Sequence, residues 1–162
     1  MTNDELLRDT ESGLLNEAYF EASLPNRVAT ARRVLRPLSL AFLSLGEPGV
    51  GVTRCSPEIA RDIAYALLQT LRESDTPCRR ADGGFALILE DTPEDGAIWT
   101  VERVRRLLTE RGVETTVWAG IAAYPAHALE SRDLAERAER ALLLAQEWGQ
   151  SRIEVALPVD SA

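Results

Sequence analysis

A mixed α/β fold is expected for this chain: a central sheet of about five strands with one β-hairpin, and helices on both faces. Three observations predict it. From Leu38 onward, apolar runs of strand length alternate with segments of helical periodicity. Two extended runs are separated only by a turn signal, Asp82-Gly83, so they read as a hairpin in a type I′ turn. The chain has 162 residues, 45% of them hydrophobic, which suits one domain with a sizeable core.

In chain order, residues 4–35 carry helical spacing broken at Gly13 and at Pro25-Asn26, with Asp9 and Asn16 placed to cap turns. Leu38 to Leu45 lies between Pro37 and Gly46 and has the pattern of a buried strand. Gly46 to Pro57 is a Gly/Pro-rich loop. Ser56-Pro57 then supplies an N-cap and an N1 proline to a helix running to about Arg72, with Ile59, Ile63, Leu67 and Leu71 on one face. The hairpin follows, and its second strand should place Phe85, Leu87 and Leu89 on one face, with Ala86 and Ile88 on the other. Thr92, as N-cap, and Pro93 start a helix whose apolar face is Ala97, Val101, Val104 and Leu108. A strand from Glu114 to Ala123, a helix capped by Ser131 and a last strand from Arg152 to Leu157 complete the order β-α-β-β-α-β-α-β. That order implies one antiparallel pair in the sheet.

Composition excludes several functions. The net charge of −8 and pI near 4.8 argue against a nucleic-acid binder, and no run is long and apolar enough to span a membrane. Cys55 and Cys78 form no Cys-x-x-Cys, so a reduced, cytoplasmic protein is expected, without a disulfide framework or zinc site. His127 has no nearby Cys or second His and reads as no metal ligand. Trp99, Trp118 and Trp148 fall at helix or strand positions and read as core or interface residues, not as platforms for stacked bases.

Several segments match one family pattern. The hairpin phrase Arg72 to Phe85, with Ala81-Asp82-Gly83-Gly84-Phe85 at its centre, resembles the signature of the GGDEF (diguanylate cyclase) domain family in degenerate form. Asp9 to Phe20 is similar to that family's Asp-x-Leu-Thr-Gly-Leu-x-Asn-x-x-x-Phe, Val117 to Pro125 to its Gly-containing strand, and Ala138 to Arg152 to its last helix and turn. The resemblance implies the nucleotidyl-cyclase-like GGDEF fold over a single domain, 1–162, with a helical lead-in at 1–35 and a core at 36–162.

In active members, the resemblance implies, an Asp at the end of the first strand and an acid in the hairpin tip hold two metal ions. Those positions read Ser44 and Gly83, and the triphosphate-binding Lys and Arg read Gln146 and Gln150. All 18 basic residues are Arg, and no Asn follows Asn26 to read guanine. The chain is therefore expected not to be an enzyme, with no catalytic residues, metal or cofactor. A second family site, which binds cyclic di-GMP through Arg-x-x-Asp, matches Arg72 and Asp75, with Asp75 ten residues before Phe85. Arg103 matches a further contact on the next helix. The expected function is a cyclic di-GMP effector or sensor of bacterial signalling. The alternative is a ligand-free interaction or dimerisation module, with a protein partner or a second copy, for which Arg72 and Asp75 are only an ion pair at a helix end.

Overall fold

The computed structural model describes residues 3–158, and the outermost residues of the expected 1–162 domain lie outside them. The elements are α1 (Asn3–Leu6), α2 (Glu17–Val34), β1 (Leu38–Glu47), β2 (Gly51–Val52), α3 (Pro57–Thr70), β3 (Thr76–Arg79), β4 (Phe85–Glu90), α4 (Glu94–Glu110), β5 (Thr116–Tyr124), α5 (Ser131–Ala145) and β6 (Arg152–Val155). Six strands form one mixed sheet in the order β3-β4-β1-β5-β6, with β2 folded back onto the end of β1. None of the described helices is long and apolar enough to cross a membrane.

The sheet is more antiparallel than the element order implied. Among the described strands, β5 and β6 make the one parallel pair. The cause is the hairpin: β4 returns from β3 and inserts between β3 and β1, so the helical crossover through α3 joins strands that are parallel but not adjacent. β5 flanks the other side of β1, also antiparallel.

Alternation along the central strands builds two cores. Ala41, Leu43, Leu45, Phe85, Leu87 and Leu89 face α3 and α4. Leu38, Leu40, Phe42, Ala86 and Ile88 face α2 and α5. The two faces of β4 are thus divided as its sequence requires, and the registers Leu40↔Ile88 and Phe42↔Ala86 fix the division across β1.

Four local expectations are corrected. The hairpin turn is not type I′, because Asp82 keeps a negative φ and only Gly83, at φ 94°, enters the left-handed region. Gly83 N donates to Arg80 O and Arg80 N to Gly84 O, so Ala81, Asp82 and Gly83 make a three-residue loop in which the glycine follows an ordinary turn. Pro25 does not break α2, since it sits on the exposed face, where water can take up the carbonyl its missing N–H leaves unpaired. Thr92 does not cap α4: its hydroxyl donates to Glu90 O, and the cap position belongs to Pro93. Likewise Ser131 is the first residue of α5, after Glu130.

Candidate ligand site at the end of α3

Helix α3 ends at Thr70 because Leu71 turns into extended backbone, and the next four residues form a tight turn into β3. Asp75 organises it. One carboxylate oxygen accepts from the amide of Arg72 at 2.9 Å, and the other from the amide of Glu90, at the end of β4, at 3.2 Å. The side chain of Asp75 is only 5% exposed and that of Arg72 55%. Arg72 Nε lies 3.5 Å from Asp75. Its Nη2 donates to the Glu90 carbonyl and, at 2.8 Å, to Thr92 Oγ1. An exposed guanidinium is thus held in place by the turn before α4.

Arg103 stands elsewhere on the same side of the molecule. It lies roughly 14 Å along the axis of α4 from Glu94, at a rise of about 1.5 Å per residue. Its guanidinium rests 5.1 Å from the centre of the Trp99 ring. Both residues line a cavity of about 420 Å³ between α3 and α4, which Arg72 does not line. The structure therefore brings Arg72 and Asp75 into contact and places Arg103 in an adjoining cavity. Of the tryptophans, Trp118 is 2% exposed and lies in the core, whereas Trp99 and Trp148 are 60% and 44% exposed. A signal for Trp99 was present in the sequence: at about 100° per residue it points some 200° from Ala97, away from the apolar face of α4.

Ser44, Gly83, Gln146 and Gln150, the positions that the resemblance matches to metal and triphosphate ligands, lie at the other end of the sheet. Ser44 is nearly buried in β1, and its hydroxyl accepts from Gln146 Nε2 at 2.7 Å. Beside Gly83 the side chain of Arg54 fills the space, so that a Cβ there would lie 2.9 Å from Arg54 Cγ. Arg54 is itself paired with Glu11 at 3.2 Å. Gln150 is exposed in the turn before β6. Neither Ser44 nor Gly83 offers a carboxylate, and the described residues contain no group of three or more His, Cys, Asp or Glu able to hold a metal. This donor set does not fit two metal ions held from the first strand and the hairpin tip.

Other polar residues that the sequence singles out hold the fold together. Asn16 caps α2 by accepting from Tyr19 N, and Asp9 accepts from the amide and hydroxyl of Ser12. Burial works to raise the Asp9 pKa, but those hydrogen bonds and the charge of Arg79 outweigh it and hold the carboxyl below its ordinary value. His127 is buried, accepting from Ala123 N and meeting Glu94 at 3.1 Å. Both cysteines are free; burial raises the Cys55 thiol pKa and pushes that of Cys78 up to about 12.

The family described as "Diguanylate cyclase, GGDEF domain" matches residues 54–152. Diguanylate cyclase DosC of Escherichia coli (strain K12) is 25% identical over 167 residues, which cover 96% of this chain and 36% of that protein. The chain thus spans about a third of this curated relative's length. Among solved structures, the GGDEF domain of YfiN (TpbB) from Pseudomonas aeruginosa superposes with a TM-score of 0.81 at 23% identity, covering 93% of this chain and 94% of that one. The GGDEF domain of DgcB from Caulobacter crescentus, solved in complex with c-di-GMP, gives 0.80 at 19% identity, covering 99% and 97%. These likenesses show the fold. The expectation that the chain is not an enzyme is corrected here: the matching family is described by an enzymatic activity, and the relative named above carries it. With the match covering more than half its length, on a six-stranded sheet with a central hairpin, the chain belongs to the GGDEF domain family of diguanylate cyclases.

Proposed function

We propose that this domain binds cyclic di-GMP at the end of α3. Arg72 contributes a planar fork that pairs with a phosphate and a face that stacks on guanine. Asp75 fixes the turn through two of its roughly four lone-pair positions and offers the others to a guanine edge. Arg103 contacts the ligand from α4. The observation that carries this reading is the anchoring of Arg72 to Glu90 and Thr92 while more than half of its side chain stays exposed. A guanidinium oriented in advance loses less side-chain freedom on binding. Membership in a family of diguanylate cyclases, and a fold shared with a DgcB domain solved with c-di-GMP, support the choice of ligand.

Titration calorimetry with cyclic di-GMP tests the reading through binding alone, independently of any GTP turnover. Binding in the micromolar range is expected, about −8 kcal/mol, weakening with salt. Arg72→Ala should weaken it roughly ten- to a hundredfold, the loss of one charge-assisted contact worth about 1.5–3 kcal/mol. Arg103→Ala should cost less. Arg132→Ala, which removes a cation that is 91% exposed on α5, controls for charge alone. Absent binding at high micromolar ligand, or an unchanged affinity in Arg72→Ala, would leave the domain as an interaction module without ligand.

A further inference from the structure

The two edges of the sheet are finished differently. At β3 the lead-in covers the outer side: Arg79 N donates to Leu15 O at 2.7 Å, and Leu15 bridges Cys78. At β6 no described strand pairs with the outer side. Ala156 N donates to Ile121 O, so by the alternation of a strand the backbone N–H and C=O groups of Ile153 and Val155 point away from β5. Charged side chains protect many such edges, but those of β6 neutralise each other, with Arg152 2.9 Å from Glu154.

Beside this edge lies a cavity of about 250 Å³ between β6 and one flank of α5. Arg137, Arg140, Ala141 and Leu144, three and four residues apart, line one wall, and Leu157 lies in the other. Leu144 and Leu157 remain 52% and 68% exposed. Arg137 is held by Asp133 at 3.2 Å and by the Leu157 carbonyl at 3.4 Å. Arg140 has no ion pair or hydrogen bond among the described residues, although the chain carries 26 acids against 18 bases.

We propose that the outer edge of β6 is a docking surface for an extended segment of a partner protein. The segment adds a strand to the sheet, sets apolar side chains against Leu144 and Leu157, and presents a carboxylate to Arg140. Each feature selects one property of the occupant. Free backbone groups on a sheet edge pair with a strand and not with a helix. The cavity is smaller than the ~300–1,000 Å³ of small-molecule sites and suits side chains entering from a strand. An unpaired guanidinium in an acidic protein favours a carboxylate. Alternate residues of the added strand face α5, so the recognised pattern is apolar-x-apolar-x-acid or its reverse. The surface does not depend on cyclic di-GMP binding, since Arg72 and Asp75 precede β3, at the opposite edge of the sheet.

The test is titration of the isotope-labelled chain with the acetylated, amidated peptide Thr-Val-Thr-Val-Thr-Glu-Thr, read by amide chemical shifts and hydrogen exchange. The Ile153 and Val155 amides should shift and exchange more slowly as peptide is added. The same peptide methylated on every backbone nitrogen keeps its side chains and should not bind. Arg140→Glu should weaken the peptide several-fold and tighten the version with Lys in place of Glu, whereas Leu144→Asp should weaken the original peptide. Both positions are exposed on α5, so the variants should keep the fold, which circular dichroism checks. No binding at millimolar peptide, equal binding of the methylated peptide, or an affinity unchanged in Arg140→Glu would overturn the proposal. Protection of the same amides that grows with protein concentration in the absence of peptide would also overturn it, by giving the edge to a second copy of this chain.

Discussion

Arg72 and Cys78 show how far the meaning of a residue depends on what surrounds it. The spacing of Arg72 and Asp75 from Phe85 was readable from the chain, but not that Asp75 would be buried and bound to two amides while Arg72 stayed exposed. That division depends on where β4 ends, since the Glu90 amide and carbonyl serve both residues. Trp99 was open to the helical wheel, but its cavity needs Tyr65 from α3, a contact between helices that no local pattern encodes. The cysteines differ in the same way. A thiol reacts as its thiolate, and burial disfavours the charged form at both positions, far more at Cys78, which is fully buried and also faces Glu17. Cys55 is only partly buried, and Arg79 lowers its pKa against the effect of burial. In the folded protein iodoacetamide should therefore label Cys55 slowly and Cys78 only after denaturant is added. Peptide mass spectrometry reads the order, and native labelling of Cys78 at the rate of Cys55 would contradict the packing of β3 against α2.

Among the elements, those with strong local signals were legible, and errors arose where pairing is non-local. β1 reads as a largely apolar run, interrupted by Ser39 and Ser44, because both of its faces are covered, and α3 announces itself through Ser56-Pro57. β2, only two residues long, carries no period to detect. Nor does the element order reveal that β4 separates β3 from β1, because a hairpin sequence does not say which strand its second arm will meet. Gly120, in the middle of β5, shows a similar blindness. A Cβ there would lie 2.2 Å from the backbone nitrogen of Leu142 and 2.3 Å from the Ala138 carbonyl, because α5 crosses directly over the strand. Helix and sheet can touch backbone to backbone only where the side chain is hydrogen. Gly120→Ala must push α5 outward and loosen Leu134, Ala138 and Leu142 in the core beneath it. A loss of roughly 3 kcal/mol or more is expected, at the upper end of overpacking costs. Urea denaturation measures it. A variant within about 0.5 kcal/mol of the original would mean that α5 does not rest on β5 in solution.

At the scale of the whole molecule, the N-terminal segment is tied to the hairpin by one buried cation. Arg79 is 2% exposed, and its Nη1 lies 3.3 Å from both Asp9 and Glu11. Its Nε donates to the Gly83 carbonyl at 2.9 Å, and its guanidinium lies 5.1 Å from the centre of the Phe85 ring. The lead-in before α2, the hairpin tip and the core under β4 therefore share a single charge. Removing one partner of a buried pair costs more than the pair contributes, because the other charge is left desolvated. Here two acids serve one arginine, so Asp9→Asn leaves Glu11 in place, and a loss of about 1–3 kcal/mol is expected. The sign of the pH dependence follows from Asp9. Its carboxyl titrates below the ordinary 3.8 in the folded protein, so the unfolded chain takes up the proton first as pH falls. The stability Asp9 contributes is thus complete above that value and is lost as pH drops through the lower folded pKa. Urea midpoints measured at about pH 7 and about pH 3 should converge between Asp9→Asn and the unchanged protein on the acid side. A gap between the two that stays constant over this range would show that Asp9 acts through hydrogen-bond geometry alone and that its charge does not hold the lead-in to the hairpin.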